Sequence, residues 1–331
     1  MRYFVTLLIL LFSSAILSAN QPSSNIKKEI NKISGDPVVT VFANYHLGLG
    51  DEKDNSNFSL DRAYLGYKFK YGKEWSGSVI FDIGTTKLEN SKLEYIAHVK
   101  NAFIAWERND FKLNFGMVKT QNFAFQESFW GYRYLMKSFS DEYGFGPSAD
   151  LGIVANYKVN NWLKTDFSLT SGSGNKVIDS DNNNRYGFGA TIEPIKQFYL
   201  RAYYDIYSGD DEIEGSINEQ TISTFIGYKH SKFTIGGEYN HQINSDHKNG
   251  VDLNGLSTYT TVNVISKWQA FARYDYLNSN QEENKKAGSA IRAGVEYSPC
   301  KILKIAPNVS CWMPENGDTQ TYLYLSVQFK L

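Results

Sequence analysis

Residues 186–207 read YGFGATIEPIKQFYLRAYYDIY, and the order of apolar and polar side chains along them decides the fold. Tyr186, Phe188, Ala190 and Ile192 alternate with Gly187, Gly189, Thr191 and Glu193. Beyond 194–197, Phe198, Leu200, Ala202, Tyr204 and Ile206 alternate with Tyr199, Arg201, Tyr203, Asp205 and Tyr207. A period of two means strands, and the break means a tight turn, so the stretch is a hairpin with one apolar and one polar face. In a soluble sandwich the apolar face would be the inside. The rest of the chain argues for the opposite assignment.

From Val38 onward the alternation recurs in sixteen segments: 38–48, 58–71, 75–84, 95–107, 111–119, 149–158, 162–170, 185–193, 198–206, 220–229, 233–242, 256–265, 268–277, 289–297, 302–311 and 321–331. The number is even, and lengths near ten suit tilted membrane strands. Connection lengths sort by parity, beginning with a long polar loop, GDEKDNSN, and then a short turn, GKE. A sandwich has no reason to sort loops this way, whereas an outer-membrane barrel keeps tight turns at the periplasmic rim and long loops outside. Aromatics open the strand after each of the first six short turns, at Trp75, Phe111, Trp162, Phe198, Phe233 and Trp268, which sets a girdle at one height; the seventh turn, before Ile302, lacks one. The last segment, TYLYLSVQFKL, places Leu323, Leu325, Val327, Phe329 and Leu331 on one face. In a bilayer, strands satisfy all their backbone groups only as a closed barrel. The expectation is an all-β, 16-stranded antiparallel transmembrane β-barrel with its apolar face toward lipid and its polar face toward a wet lumen. Sixteen strands leave an interior too wide for side chains to fill, hence a channel. Pro307, inside the fifteenth segment, predicts a bulge or an early strand end.

The chain has 331 residues and a formal net charge of -1, which offers no concentrated basic surface for nucleic acid. MRYFVTLLILLFSSAILSANQ has the layout of an export signal, Arg2 followed by an apolar run and small residues, so residues 1–19 are read as a cleaved signal peptide. Residues 20–37 are read as a short periplasmic segment, a helix capped by Ser24 or a linker, and residues 38–331 as the barrel. Cys300 and Cys311 flank one predicted strand; at ~3.3 Å per residue they lie roughly 36 Å apart, too far for a bridge.

Three stretches carry a resemblance: FSLDRAYLGYKFKYGKEWSGSVIFDIG (58–84), KNAFIAWERNDFKLNFGMVKT (100–120) and GYRYLMKSFSDEYGFGPSADLGIVANYKVNN (131–161). They resemble the porin O and P type family of Gram-negative outer membranes, the phosphate-selective porins. The resemblance implies a sixteen-stranded porin, commonly a homotrimer, with an inward-folded third loop. Anion-selective members line the pore with a basic ladder; here the inward positions mix Arg62, Arg185, Arg201, Arg273 and Arg292 with Asp82, Asp166, Asp205, Glu238, Asp275 and Glu296.

The third loop, 121–147, is too aromatic for a solvated outer loop, since Phe125, Phe129, Trp130, Tyr132, Tyr134 and Phe139 would stand in water. Folded into the lumen, it brings Glu127, Arg133, Lys137, Asp141 and Glu142 to a constriction. Two readings stand together: the two bases face the open pore, or they pair with these acids and pin the loop. Asp275 and Arg292 are likewise candidates for a structural pair on the wall. The fifth loop, GDDEIEGSINE (209–219), holds five carboxylates and no base, a solvated rim or a seat for divalent ions beside lipopolysaccharide. DSDNNN (179–184) lacks the glycine and glutamate of a calcium loop. The five histidines show no metal spacing, and there is no G-x-S-x-G elbow, so no enzyme, metal or cofactor is expected. The function read from these residues is passive diffusion of small hydrophilic solutes or ions with weak or mild anion selectivity. A loop-plugged barrel serving adhesion or structure at the cell surface is the alternative.

Overall fold

In the computed structural model, the described residues are 33–85, 94–179, 183–210, 212–281, 284 and 286–331. The signal peptide and the helix reading of the following segment lie outside them. Sixteen strands follow one another: β1 (Ile33–Leu49), β2 (Ser56–Tyr71), β3 (Trp75–Thr85), β4 (Tyr95–Arg108), β5 (Phe111–Lys119), β6 (Ala149–Lys158), β7 (Leu163–Thr170) and β8 (Arg185–Ile195) make the first half. The second half is β9 (Phe198–Tyr207), β10 (Glu219–Lys229), β11 (Phe233–Ile243), β12 (Leu253–Ile265), β13 (Trp268–Ser279), β14 (Gly288–Cys300), β15 (Leu303–Pro314) and β16 (Gln320–Lys330). Each pairs with its neighbours in sequence, and β1 closes on β16 from Thr40 opposite Lys330 to Leu49 opposite Thr321. Closure leaves no unpaired edge, which is what an apolar solvent demands.

The faces sort as the opening hairpin requires. On β8 and β9, Phe188 is 55% exposed while Gly187, Gly189, Arg201, Tyr203 and Asp205 are buried inside. On β16, Leu323 and Leu325 are exposed and Ser326 is buried. The apolar residues face outward as a belt, and the fold is that of an outer-membrane-type β-barrel. Trp75, Trp162, Phe233 and Trp268 stand exposed beside the short turns, and Phe111 and Phe198 are half-buried there. Those turns are tight enough to need left-handed residues, such as Gln197 at φ 71° and Lys267 at φ 67°.

Pro307 behaves differently from the expectation. β15 runs through it, Pro307 faces Leu325 of β16, and the register with β14 is the same on both sides, Gly294 opposite Asn308 and Tyr297 opposite Ile305. The irregularity falls instead between Tyr297 and Cys300, at the adjoining turn. Proline thus costs a ladder donor without shifting the register. β1 also begins at Ile33, within the stretch read as a preceding segment. Cys300 and Cys311 are free thiols.

Residues 120–148, between β5 and β6, fold into the lumen. They contain helix α1 (Ala124–Trp130) and helix α2 (Phe139–Tyr143), which end at the left-handed glycines Gly131 (φ 73°) and Gly144 (φ 86°). Both buried apolar clusters centre on this loop. Phe129, Trp130, Tyr132 and Tyr134 pack on Phe42, Phe225, Tyr259 and Phe271 of the wall, and Phe139, Tyr143 and Phe145 pack on Leu253 and Leu277. Most of the rings meet at angles, as for Phe129 and Phe225 at 4.9 Å and 66°, while Tyr132 and Tyr134 stack at 26°.

Candidate pore constriction

The loop takes its position from aromatic rings seated over small wall residues and from a few buried polar ties. Tyr134 donates its hydroxyl to Glu296 of β14 at 2.7 Å, Tyr132 to Gln269 of β13 at 2.6 Å, and Ser140 to Asn240 of β11 at 3.1 Å. From the wall, Arg201 donates to the Gln121 carbonyl and Arg273 to the Lys137 carbonyl, each at 2.7 Å. One cavity, a passage of about 220 Å³, lies between the loop and the wall of β1, β2, β14 and β16, and another of about 420 Å³ lies between the start of the loop and the wall of β4 to β9. The charged lining of the first comprises Arg62, Arg133, Lys137 and Arg292 with Asp61 and Glu142, and uncharged side chains including Phe42, Asn44, Tyr134 and Tyr324 stand among them.

Arg133 is the centre of the loop's own electrostatics. Its guanidinium bonds both Glu127 and Asp141, the latter at 2.6 Å, while Nε donates to Tyr64 of β2 at 3.2 Å. Lys119 adds a second contact to Glu127 at 2.9 Å. Arg133 ties the loop to its own acids, and Lys137, 40% exposed, lies 3.9 Å from Glu142; both bases line the first cavity.

Burial by itself would raise the Glu127 and Asp141 carboxyls, but Arg133, helped by Lys119 and Lys137 respectively, holds both below the usual carboxylate range. A depressed carboxylate stabilises the docked loop above its ordinary value of about 4, and that contribution disappears as pH falls through the lowered native values. Acidification below about pH 4 is thus expected to loosen the loop while the barrel persists. Current noise rising in acid, with unchanged migration of unheated protein on gels, would show it; noise independent of pH would refute the tether.

The wall charges are mostly paired. Arg62 meets Asp82 at 3.1 Å, with His98 on the same carboxylate at 3.7 Å. Arg201 grips Asp166 with two bonds of 2.6 and 3.0 Å, and Arg185 spans Asp205 at 2.7 Å and Glu219 at 2.8 Å. Glu296 also takes Lys304 at 3.0 Å. Glu238 is buried beneath the loop and accepts from Asn240 at 3.2 Å.

The pair expected between Asp275 and Arg292 does not form. The register sets Arg292 opposite Arg273 and Asp275 opposite Ala290, so Asp275 is taken by Arg273, two residues away on the same face, at 2.7 and 2.8 Å. Arg292 is left with the Asn308 side chain at 3.1 Å and the Tyr324 ring at 4.8 Å, and it lines the passage. Glu219, counted with the acidic fifth loop, is the first residue of β10 and a wall partner of Arg185. Sequence reasoning missed Tyr64, Lys119 and Lys304, whose partners lie on strands or loops that only the register brings together.

No family model and no curated protein matches this chain. Solved structures match it along nearly its whole length. Salmonella typhi OmpF, solved with daunomycin, superimposes with a TM-score of 0.68 at 11% identity, covering 92% of this chain and 99% of that one. An anion-selective porin from Comamonas acidovorans gives 0.68 at 11%, covering 91% and 100%. The trimer form of OmpT from Vibrio cholerae gives 0.63 at 12%, covering 91% and 100%. The fold is that of outer-membrane porins.

Proposed function

We propose that this protein is an outer-membrane porin through which small hydrophilic solutes and ions diffuse passively, with a mild preference for anions. The observation that carries this reading is the passage beside the third loop, where four cationic side chains face two carboxylates. Two of those cations, Arg62 and Arg133, are already neutralised by Asp82, Glu127 and Asp141. Lys137 and Arg292 remain beside Glu142 and Asp61, so the local charges nearly balance and the preference is weak or mild. A strong phosphate preference is not part of the proposal. The porin O and P resemblance and trimeric assembly belong to the same reading, with outer-membrane lipid and lipopolysaccharide around the apolar belt.

A plugged barrel with a structural or adhesive surface is the second reading, favoured by the buried aromatic clusters that tie the loop to both sides of the wall. Liposome swelling separates the two. Vesicles containing the folded protein are expected to swell in small sugars, and absence of swelling supports the plug.

A further inference from the structure

We propose that the channel rectifies, because its aqueous path is basic at the mouth bearing the short turns and acidic at the mouth bearing the long loops. The inference rests on the channel reading above.

Alternation assigns the side chains. Lys68 and Lys70 share the lumenal face of β2 with Arg62 and Tyr64; Lys158 shares that of β6 with the buried Val154; Lys164 shares that of β7 with Asp166. Lys229 and Lys330 follow by the same parity on β10 and β16. All six are exposed within a few residues of a short turn or of the end of β16, and none has an ion-pair partner among the described residues. Lys158 and Lys164 stand directly opposite each other across the ladder. Like charges so placed cost stability, and the carboxylates lining the same cavity, Glu107, Asp110 and Asp166, make no ion pair with them. Of the acids at this end, Glu107 and Glu296 are tied to Lys112 and Lys304 and Glu193 accepts from the Gln197 N–H, while Asp110 stands in a turn, so the lysines outnumber the acids. At the other mouth the signs invert, with Asp51, Glu52 and Asp54 in the first loop and Asp210, Glu212 and Glu214 in the fifth.

Such a path concentrates anions in its lysine half and cations in its acidic half. With the loop side positive, anions leave the lysine mouth for the constriction and cations enter from the acidic mouth, so both accumulate inside and conductance rises. The opposite polarity drains both. Screening within about 10 Å at 0.1 M salt leaves the effect intact, and within about 3 Å at 1 M removes it.

The test is a planar bilayer recording of the full chain, oriented by attaching an impermeant thiol reagent from one side to a Ser216→Cys variant in which Cys300→Ser and Cys311→Ser remove the two native free thiols. In symmetric salt of about 0.1 M, current with the loop side positive is expected to exceed the reverse about twofold, and to become symmetric at about 1 M. The fourfold change Lys68→Gln, Lys70→Gln, Lys158→Gln and Lys164→Gln is expected to bring the low-salt ratio close to one; the milder pair Lys158→Gln and Lys164→Gln, which only relieves repulsion, should lower it part of the way. An open channel with symmetric current at low salt overturns the rectifier and leaves the porin reading standing. A ratio indifferent to both sets of changes overturns its assignment to these lysines, and no current from folded protein overturns both readings.

Discussion

Replacing Gly255 by leucine is expected to drive the second half of the third loop off the wall. Gly255 lies on the lumenal face of β12, and a Cβ there would sit 2.1 Å from Cζ of Phe139 and 3.0 Å from the Tyr276 carbonyl. Phe139 is fully buried in this seat with Tyr143, Phe145, Leu253 and Leu277 around it. A leucine occupies the seat itself, and losing a buried phenylalanine contact costs about 3–5 kcal/mol. The barrel's ladders are untouched, so the cost falls on the loop. Single-channel conductance should rise by about twofold as a lumen this wide opens. Because the clash is with one ring, adding Phe139→Ala to Gly255→Leu should cost much less than the sum of the two changes. Conductance equal to that of the unsubstituted protein would mean that Phe139 does not hold the loop.

Arg133→Gln is the second large effect. It leaves Asp141 and Glu127 half-buried without their shared guanidinium; Glu127 retains its direct contact with Lys119, and Asp141 retains only the more distant charges of Lys137 and Lys100. Removing one partner of a buried ion pair typically costs about 3–5 kcal/mol, because the other charge is stranded. The loop should flicker between docked and undocked states, and the freed carboxylates should move the reversal potential toward cations. Arg133→Lys should recover only part of the tether, since an ammonium lacks the fork that serves two carboxylates and Tyr64 together. Quiet currents in both variants would show that the aromatic seats alone fix the loop.

The architecture was legible in the sequence because period two and turn parity are local properties. Each strand answers to its own alternation, and Phe125, Phe129 and Trp130 in a supposedly solvated loop already announce that the loop turns inward. The charge network was not legible, because it depends on register. Whether Asp275 meets Arg292 or Arg273 turns on a two-residue offset between β13 and β14 that neither strand specifies alone. Glu219 shows the same limit at an element boundary: one residue separates an acid in a loop from an arginine-bound acid in the wall. Arg133 illustrates a third case. Its ion pairs with Glu127 and Asp141 depend on helix α1 and the start of α2, which bring those acids to one side of the loop.

The measurement that bears most directly on the whole account is the reversal potential of single channels in a salt gradient. Lys137 and Arg292 at the passage, set against Glu142 and Asp61, predict no more than a mild anion preference, which turns toward cations when Lys137 and Arg292 are both changed to glutamine. Strong cation selectivity, or a folded barrel that passes no current at all, would contradict it.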